Sequence, residues 1–300
     1  MNFKKLAVTV LSVALIFSFA ACGKSDGDDS AIRVGSKDFT ENLVVAEIYA
    51  LALEDAGFKV ERKLDIAGSL VHTAITNDEI DIYPEYTGTG LLSILKLDLI
   101  TDPREVYNVV KEGYEKQFSI TWLDQSNAND GQGLVIRTSV SDEYGIYTIS
   151  DLQEQADKIR FASQGEFDQR DDGIPGMVKV YGEFNFKSSK VYDNGLKYQI
   201  LESDEADLAP AYTTEGQLVR TDLFRLLIDD KQMWPPYYLA PIIRNNVLDA
   251  NPKIAEVLNK VSATLDTETV TALNAKVDVD KMEFEEVAGE YFESIKHLLG

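Results

Sequence analysis

The sequence predicts an α/β fold of two similar lobes with a ligand cleft between them, and three observations predict it. Strand-like and helix-like stretches alternate along most of the chain, which is typical of sheets covered by helices. With 300 residues the chain is long enough for about two domains. The phrase DEIDIYPEYTGTG at 78–90 returns as DEADLAPAYTTEG at 204–216, so one repeated unit is expected in each lobe.

Each repeated phrase reads as a strand that stops at a proline, Pro84 or Pro210, and presents a tyrosine just beyond its end, Tyr86 or Tyr212. In open α/β sheets, ligands bind outside the carboxyl ends of the strands. Two facing lobes would therefore hold a ligand between the two tyrosines. The alternative is that this acid-rich pattern is a common loop sequence that recurred by chance.

Composition narrows the classes of partner. A formal net charge of −22 speaks against nucleic-acid binding, because proteins that bind nucleic acids present basic surfaces. An apolar content of 44% is ordinary and is enough to form a core in each lobe.

The N-terminal segment has the plan of an export signal. Lys4 and Lys5 precede a short apolar run and two alanines, which predicts a signal peptide over residues 1–21. The small residues before Cys22 resemble a bacterial lipobox, in which the cysteine is acylated. Residues 22–30 then read as a lipidated, flexible tether, and the protein is expected on the extracytoplasmic face of the cell membrane. The alternative is a plain secretory signal with a leftover cysteine.

Lobe one is predicted from residues 31–130 together with 241–300. Asp38 and Glu41 read as a capping box before the first helix, which Gly57 ends. Ser69 is positioned to cap the second helix, and Pro103 starts a later one. The predicted strands lie at 32–35, 58–66 and 121–123, and the predicted helices at 43–53, 70–76, 89–96 and 102–118. This alternation predicts parallel strands.

Lobe two is predicted from residues 131–240, after a flexible break at 127–133. The chain is expected to cross between the lobes there and to return near Pro241. Inside lobe two, the pattern predicts a helix capped by Ser150, a strand at 159–162, a helix at 173–181 and the second tyrosine strand. Helices that start near residues 252, 266 and 281 would pack back on lobe one.

Catalytic motifs are missing from the sequence. It has two histidines and contains no G-x-S-x-G, Walker or G-x-G-x-x-G phrase in the required context, and no spacing typical of metal ligands. Neither enzyme activity nor a cofactor or metal is predicted. Two rival functions stay open: an enzyme that uses carboxylates in the cleft, because 51 acidic residues make such pairs frequent, and a surface sensor or adhesion module.

The tyrosines favour a binding function. Aromatic faces that converge on a cleft attract cations, including those that cannot donate hydrogen bonds. The spacing that relates Tyr86 to Tyr212 also relates His72 to Tyr198. For any single tyrosine the alternative is ordinary half-buried packing.

Arg170 precedes a glycine- and proline-containing turn at the start of a predicted helix. An arginine there can hold a ligand carboxylate with two hydrogen bonds. A surface ion pair with Asp171 or Asp172 is the alternative.

Six short phrases complete the pattern: GSKDFTE at 35–41, DIYPEYTGTG at 81–90, RDDGIPG at 170–176, GLKY at 195–198, AYTTEG at 211–216 and PPYYLAPIIR at 235–244. Together they resemble the substrate-binding proteins of osmoprotectant ABC importers, the glycine betaine, carnitine and choline binding family (OpuAC/ProX-like). The resemblance covers essentially the whole chain after the signal peptide.

The resemblance implies a hinge-closing, periplasmic-binding-protein-like fold of type II. It implies capture of a small solute and its delivery to an ABC permease with its ATPase. It also implies an aromatic cage around a quaternary ammonium, to which Tyr86, Tyr198 and Tyr212 correspond. Thr89 corresponds to a polar position near the ligand, and Arg170 to an arginine that engages the ligand carboxylate or locks the closed state.

One departure from the family pattern affects the expected ligand. Many relatives carry Asn-Asn-Thr-Tyr at the first crossover, where this chain has Asn129, Asp130, Gly131 and Gln132. Gln132 thus replaces a ring of the cage, and Asn129 and Gln132 are predicted to be ligand-binding residues. A cage with an amide wall should also admit a ligand with a hydrogen-bond donor, such as an amino-acid-like compound or an imidazole betaine.

Overall fold

The computed structural model describes residues 31–165, 167–170 and 172–299. The predicted signal peptide (1–21), Cys22 and the tether (22–30) lie outside the described residues. The described chain forms two five-stranded sheets, each packed against helices, and this is the two-lobed α/β fold that the sequence predicts.

The strands are β1 (Ile32–Lys37), β2 (Val60–Ile66), β3 (Ile82–Tyr86), β4 (Ile120–Trp122), β5 (Gln132–Arg137), β6 (Arg160–Ser163), β7 (Ser188–Val191), β8 (Leu208–Tyr212), β9 (Phe224–Leu226) and β10 (Leu239–Arg244). The sheet of lobe one has the order β2-β1-β3-β10-β4, and the sheet of lobe two has the order β7-β6-β8-β5-β9. The predicted limits of the lobes, 31–130 with 241–300 and 131–240, stay a prediction.

The helices are α1 (Thr40–Asp55), α2 (Val71–Thr76), α3 (Thr87–Thr89), α4 (Pro103–Phe118), α5 (Thr138–Tyr144), α6 (Ile149–Glu154), α7 (Ile174–Tyr181), α8 (Lys197–Glu202), α9 (Asn245–Ala250), α10 (Lys253–Ser262), α11 (Thr267–Asp278) and α12 (Phe284–Leu299). A π-helical turn at Gly90–Ile94 continues α3, and a 3₁₀ turn at Gly216–Val219 follows β8. In the described part of the chain, no helix combines the length and apolar composition needed to cross a bilayer.

The two sheets repeat the same construction. In each, one strand (β1 or β6) has two parallel neighbours, and the middle strand (β3 or β8) also pairs with an antiparallel strand. Asp78 and Asp204, which precede the middle strands, both adopt left-handed backbone conformations, with φ of 63° and 62°. The repeated phrase is therefore a structural repeat and not a chance recurrence.

The repeated aspartates hold the strands of each sheet together. The backbone N and the Nε of Arg33 donate to Asp81 Oδ2 at 2.8 and 3.0 Å. The same two groups of Arg160 donate to Asp207 Oδ2, each at 2.9 Å. Because charge-assisted hydrogen bonds of this kind are the stronger ones in proteins, the acids at the start of each repeat serve the fold.

The sheets are mixed, whereas the sequence pattern predicts parallel strands. β10 and β5 are antiparallel to β3 and β8, because each enters its sheet from the opposite lobe. The middle strand also continues through its proline and does not stop there: Pro84 pairs with Pro241, and Tyr86 ends the strand. Proline removes only a donor, and the carbonyl of Pro84 still accepts from Asn42 Nδ2 at 2.9 Å.

Two segments connect the lobes, residues 123–131 between β4 and β5 and residues 227–238 between β9 and β10. They run side by side as an antiparallel pair, which we call the crossover ribbon. Asp130 N donates to Tyr237 O at 3.1 Å and Leu239 N to Ala128 O at 3.0 Å, while Asn129 forms a bridge with Tyr238.

Three predicted helix caps differ from the structure. Phe39 is the N-cap of α1 without a side-chain bond, and Asp38 Oδ1 instead accepts from Gly68 N at 3.1 Å. α2 begins after Leu70 and not after Ser69. The capping box of α6 is formed by Thr148 with Asp151, because Ser150 already lies within the helix.

Candidate functional site

A cavity of about 460 Å³ lies where β3 and β8 end. Lobe one, lobe two and the crossover ribbon all contribute to its wall. The lining residues are Lys37, Phe39, Thr40, Glu41, Tyr86, Thr89, Ser93, Asp130, Gln132, Arg170, Tyr212, Thr214, Glu215, Tyr237, Asn274 and Asp278. A volume of this size suits a small organic solute.

Four aromatic side chains form the apolar part of the wall: Phe39, Tyr86, Tyr212 and Tyr237. Tyr86 ends β3 and is only 3% exposed, while Tyr212 ends β8 and is 40% exposed. The rings of Phe39 and Tyr86 lie 6.0 Å apart between centroids. Rings from both lobes thus face the same space, an arrangement that attracts a cationic group.

Tyr237 comes from the crossover ribbon and is fixed from two sides. Its backbone N donates to Asn129 Oδ1 at 2.7 Å. A Cβ atom placed on Gly88 would lie 2.6 Å from the Tyr237 ring, so this contact requires glycine at position 88. Tyr237 is not among the site residues predicted from the sequence. Two features of the sequence could have indicated Tyr237: the PPYY phrase at 235–238, and Gly88, which directly follows the Tyr-Thr pair that both repeats contain.

Lys37 already occupies part of the aromatic wall. Its Nζ atom lies 4.9 Å from the centroid of the Tyr86 ring and forms a 2.5 Å ion pair with Glu85 Oε1. Glu85 also accepts from the hydroxyl of Tyr83 and the backbone N of Tyr86, at 2.8 and 2.9 Å. Lys37 is therefore held by internal partners and is not a free cation.

Acidic residues outnumber basic residues in the wall: Glu41, Asp130, Glu215 and Asp278 against Lys37 and Arg170. Lys37, Arg170 and Glu215 are each paired with an opposite charge outside the cavity. A ligand that carries positive charge would therefore meet acidic groups that have no ion-pair partner among the described residues.

Two of these carboxylates have partners that fix them in place. Glu215 forms an ion pair with Lys197 and accepts from the hydroxyl of Tyr198. Asp278 Oδ1 accepts from the Thr40 hydroxyl at 2.6 Å.

Glu41 is 3% exposed, Asp130 is partly buried, and both line the cavity. Burial is the main cause that raises the pKa of both carboxyls, that of Asp130 well above its ordinary value, and the charge of Glu41 raises the pKa of Asp130 further. Two adjacent carboxylates with little solvent resist ionising together. A cation in the cavity would favour the ionised form of both.

Arg170 lies on the exposed loop before α7 and lines the cavity. Its guanidinium donates to Asp172 Oδ1 at 2.7 Å and to Oδ2 at 2.5 Å. The Trp234 indole donates to the Asp172 carbonyl at 2.7 Å and so attaches this loop to the lobe-two core. A ligand carboxylate would have to share Arg170 with Asp172.

The structure brings five of the predicted site residues to the cavity: Tyr86, Thr89, Gln132, Arg170 and Tyr212. Gln132 lies beside Tyr212 on the paired strand. Burial raises the pKa of the Tyr212 phenol, and the hydrogen bond with Gln132 partly offsets that increase.

Three other residues considered from the sequence lie outside the cavity wall. Tyr198 packs edge-on against Phe224 at 4.9 Å between ring centroids, and its hydroxyl donates to Glu215 Oε2 at 2.5 Å. Asn129 supports Tyr237 from behind. His72 packs edge-on against Tyr114 in the lobe-one core, at 5.4 Å between centroids.

Among the described residues, no group of histidine, cysteine, aspartate and glutamate side chains is arranged to hold a metal ion.

Comparison with known proteins gives consistent matches. Residues 30–294 match the family model OpuAC, described as the substrate binding domain of ABC-type glycine betaine transport system. The chain is 32% identical over 278 residues to the glycine-betaine-binding protein of Pseudomonas aeruginosa, and the match covers 89% of this chain and 88% of that protein.

A second relative is the ergothioneine transport permease/ergothioneine binding protein EgtU of Helicobacter pylori. It is 29% identical over 270 residues, which is 89% of this chain. The match spans 48% of the Helicobacter protein, so that protein contains much besides the part that is similar.

Among solved structures, a glycine betaine/carnitine/choline ABC transporter protein superposes with a TM-score of 0.82 at 26% identity, and the match covers 90% of this chain and 99% of that one. These relatives are solute-binding proteins and not enzymes. The chain belongs to the family of substrate-binding domains of ABC-type glycine betaine transport systems.

Proposed function

We propose that this protein captures a quaternary-ammonium or zwitterionic compatible solute of the glycine betaine, choline or carnitine type between its two lobes. It then delivers the solute to the permease of an ABC importer. The observation that carries the proposal is the cavity at the ends of β3 and β8, where aromatic rings from both lobes surround a space whose wall contains more acidic than basic residues. Rings and carboxylates together favour an organic cation over a neutral or anionic solute.

In this proposal Tyr86 and Tyr212 contact the ammonium head, with Phe39 and Tyr237 completing the cage. Arg170 and Thr89 contact the polar end of a zwitterion. Because the residues come from both lobes, the closed form gains contacts that the open form lacks, and the ligand shifts the equilibrium toward closure. Cys22 carries the lipid anchor at the extracytoplasmic face of the membrane, where the permease is reached.

A second candidate ligand class is an imidazole betaine or an amino-acid-like compound. Gln132 stands in the wall and can exchange hydrogen bonds that a ring cannot. The similarity to a Helicobacter pylori protein named for ergothioneine, itself an imidazole betaine, supports this candidate.

A calorimetric ligand panel tests the proposal. The chain without its first 30 residues is titrated with choline, glycine betaine, carnitine, ergothioneine and, as controls, proline and glutamate. Saturable one-to-one binding of at least one ammonium compound, with no binding of glutamate, is expected. If every ammonium compound fails to bind, the proposed function is wrong.

Replacing Gln132 with tyrosine separates the two ligand classes. The variant restores a ring to the wall, so it should bind glycine betaine more tightly and an imidazole betaine no better than the parent. Equal affinity of parent and variant for both compounds would mean that position 132 does not face the ligand.

A further inference from the structure

We propose that Glu41, Asn274 and Asp130 form a hydrogen-bond-accepting subsite that takes an N–H or O–H group of the ligand. This inference rests on the proposed function and deepens it. It states that the solute is a cation or zwitterion that carries a hydrogen-bond donor besides its ammonium head.

Two buried acceptor atoms of the subsite are left unpaired by the described part of the protein. Glu41, in the first turn of α1, is 3% exposed, and Asn274, on α11, is 4% exposed. The Asn274 amide donates both to Glu41 Oε2 at 3.1 Å and to the Thr214 carbonyl at 2.8 Å. Glu41 Oε1 and Asn274 Oδ1 are buried and, among residues 31–165, 167–170 and 172–299, have no hydrogen-bond partner.

The nearby donors are already engaged by other acceptors. The Thr214 hydroxyl has one proton and donates it to Asp130 Oδ1 at 2.7 Å. Lys37 is bound to Glu85. Burial raises the pKa of Glu41, and the hydroxyls of Thr214 and Tyr86, together with the Asn274 amide, lower it. Among the described residues, these donors still leave Glu41 Oε1 and Asn274 Oδ1 without a hydrogen-bond partner.

Buried acceptors are rarely left unpaired in proteins, because each has given up its bonds to water. A pair of them in the wall of a ligand cavity is explained if the ligand supplies the missing donors. A site built to hydrogen-bond a substrate O–H or N–H discriminates strongly against the analogue that lacks it.

The charges of Glu41 and Asp130 also favour a cationic donor. In the described part of the chain, Glu41 and Asp130 form no ion pair, whereas Glu215, on the same cavity wall, is paired with Lys197. Burial raises the pKa of both carboxyls, and the charge of Glu41 raises the pKa of Asp130 further. A donor that also carries or adjoins positive charge satisfies the hydrogen bonds and the charge together.

A ligand whose only polar groups are a quaternary ammonium and acceptor oxygens is therefore not the best-bound solute. Such a ligand fits the rings but leaves Glu41 Oε1 and Asn274 Oδ1 unpaired. A hydroxyl next to a trimethylammonium head, or a ring N–H beside one, supplies the donor.

The test uses pairs of ligands that differ only in the donor. Choline is compared with its O-methyl ether, and an imidazole betaine is compared with its ring-N-methylated form, by calorimetry on the parent protein. We expect the donor-bearing member of at least one pair to bind about tenfold or more tightly than its methylated partner.

Two variants assign the preference to the subsite. In Glu41→Gln and in Asp130→Asn, the ratio of affinities within the preferred pair should fall to within about threefold. Glu54→Gln is the matched control, because Glu54 lies on the same helix but pairs with Arg62 on the surface, and it should keep the parental ratio. Thermal unfolding of each variant shows whether it is folded.

The outcomes are distinguishable. If both members of each pair bind the parent equally, or if both cavity variants keep the parental ratio, the subsite is refuted and the proposed function stands. If no compound of either pair binds, and none of the wider panel does, the proposed function itself has failed.

Discussion

At the scale of single residues, Tyr86 and Tyr212 occupy equivalent ends of equivalent strands but have different surroundings. Tyr86 is buried among lobe-one side chains and faces Lys37, whereas two fifths of Tyr212 is exposed. Removing the Tyr86 ring therefore opens a hole in a packed core, which costs about 3–5 kcal/mol for a large aromatic side chain. Tyr212 is the ring whose removal reports on binding with little effect on folding.

We predict that Tyr212→Ala weakens binding of the preferred ammonium ligand about tenfold or more, because a desolvated cation loses a ring worth up to about 2 kcal/mol. The melting temperature should change little. Tyr147→Ala is the control, since Tyr147 is similarly exposed at 47% and does not line the cavity. Parental affinity in Tyr212→Ala, measured by calorimetry, would contradict the cage.

We also predict that Asp130→Asn stabilises the empty protein at neutral pH. Burial and the charges of Glu41 and Glu215 raise the pKa of Asp130, while the hydrogen bond from Thr214 and the charge of Lys37 lower it. A folded-state pKa above the unfolded value means that the folded protein binds more protons, so the free energy of unfolding falls as pH rises through that window. The asparagine side chain does not titrate, so the variant does not lose this stability as the pH rises.

Melting curves from pH 4 to pH 8 measure this effect. The melting temperature of Asp130→Asn should exceed that of the parent by a few degrees at pH 8 and by little near pH 4. A difference of about 1 kcal/mol in the free energy of unfolding shifts the melting temperature by roughly 2–4 °C in proteins of 150–250 residues. A variant that melts below the parent at pH 8 would show that the carboxylate stabilises the empty fold.

Sequence reasoning identified the residues that the repeat marks and missed those that distant helices supply. Tyr86 and Tyr212 were found because local spacing fixes which residue ends a strand. Glu41 was interpreted as a helix cap, and Asn274 was not considered, because their proximity depends on how α11 packs against α1. The repeat also pointed to Tyr198, whose hydroxyl instead supports Glu215.

At the scale of elements, the contact between the turn at Gly216–Val219 and α11 joins the two lobes beside the cavity. A Cβ atom on Gly216 would lie 2.6 Å from the backbone N of Ala275 and 2.7 Å from its Cα. These are backbone atoms and cannot turn aside. Glycine at this position lets lobe two approach the helix that carries Asn274.

We predict that Gly216→Ala weakens ligand binding at least severalfold and lowers the melting temperature, because the turn must move away from α11. Gly289→Ala is the matched control: it makes the same chemical change on α12, where a Cβ meets no atom within 4 Å. The control should be stabilised by up to about 1 kcal/mol, the helix preference of alanine over glycine. Similar behaviour of both variants would show that the close contact has no role.

The order of the elements was predictable, and the direction of two strands was not. Alternating strand and helix patterns located most elements of both lobes. Strand direction in β5 and β10 depends on which lobe the chain arrives from, and local periodicity contains no information about that. Pro84 was taken as the end of a strand because the carbonyl contact from Asn42 could not be seen in the sequence.

At the scale of the whole molecule, the cavity wall is divided between two lobes, so the proposed function couples ligand affinity to closure of the lobes. A ligand shifts the equilibrium only by as much as it binds the closed form more tightly than the open form. We predict that the preferred ligand lowers the radius of gyration measured by small-angle X-ray scattering. The decrease should be smaller in Tyr212→Ala at equal saturation. An unchanged scattering profile at saturation would contradict closure.

The crossover ribbon joins the lobes by two hydrogen-bonded strands of chain, and the same ribbon carries Asp130 and Tyr237 into the cavity wall. Two connections side by side form a hinge, which bends readily about one axis and resists other motions. A solute bound to Asp130 and Tyr237 would therefore stiffen the crossover ribbon, and the solute could leave only after the ribbon bends. In the proposed function, a permease that separates the lobes would also separate the solute from these contacts.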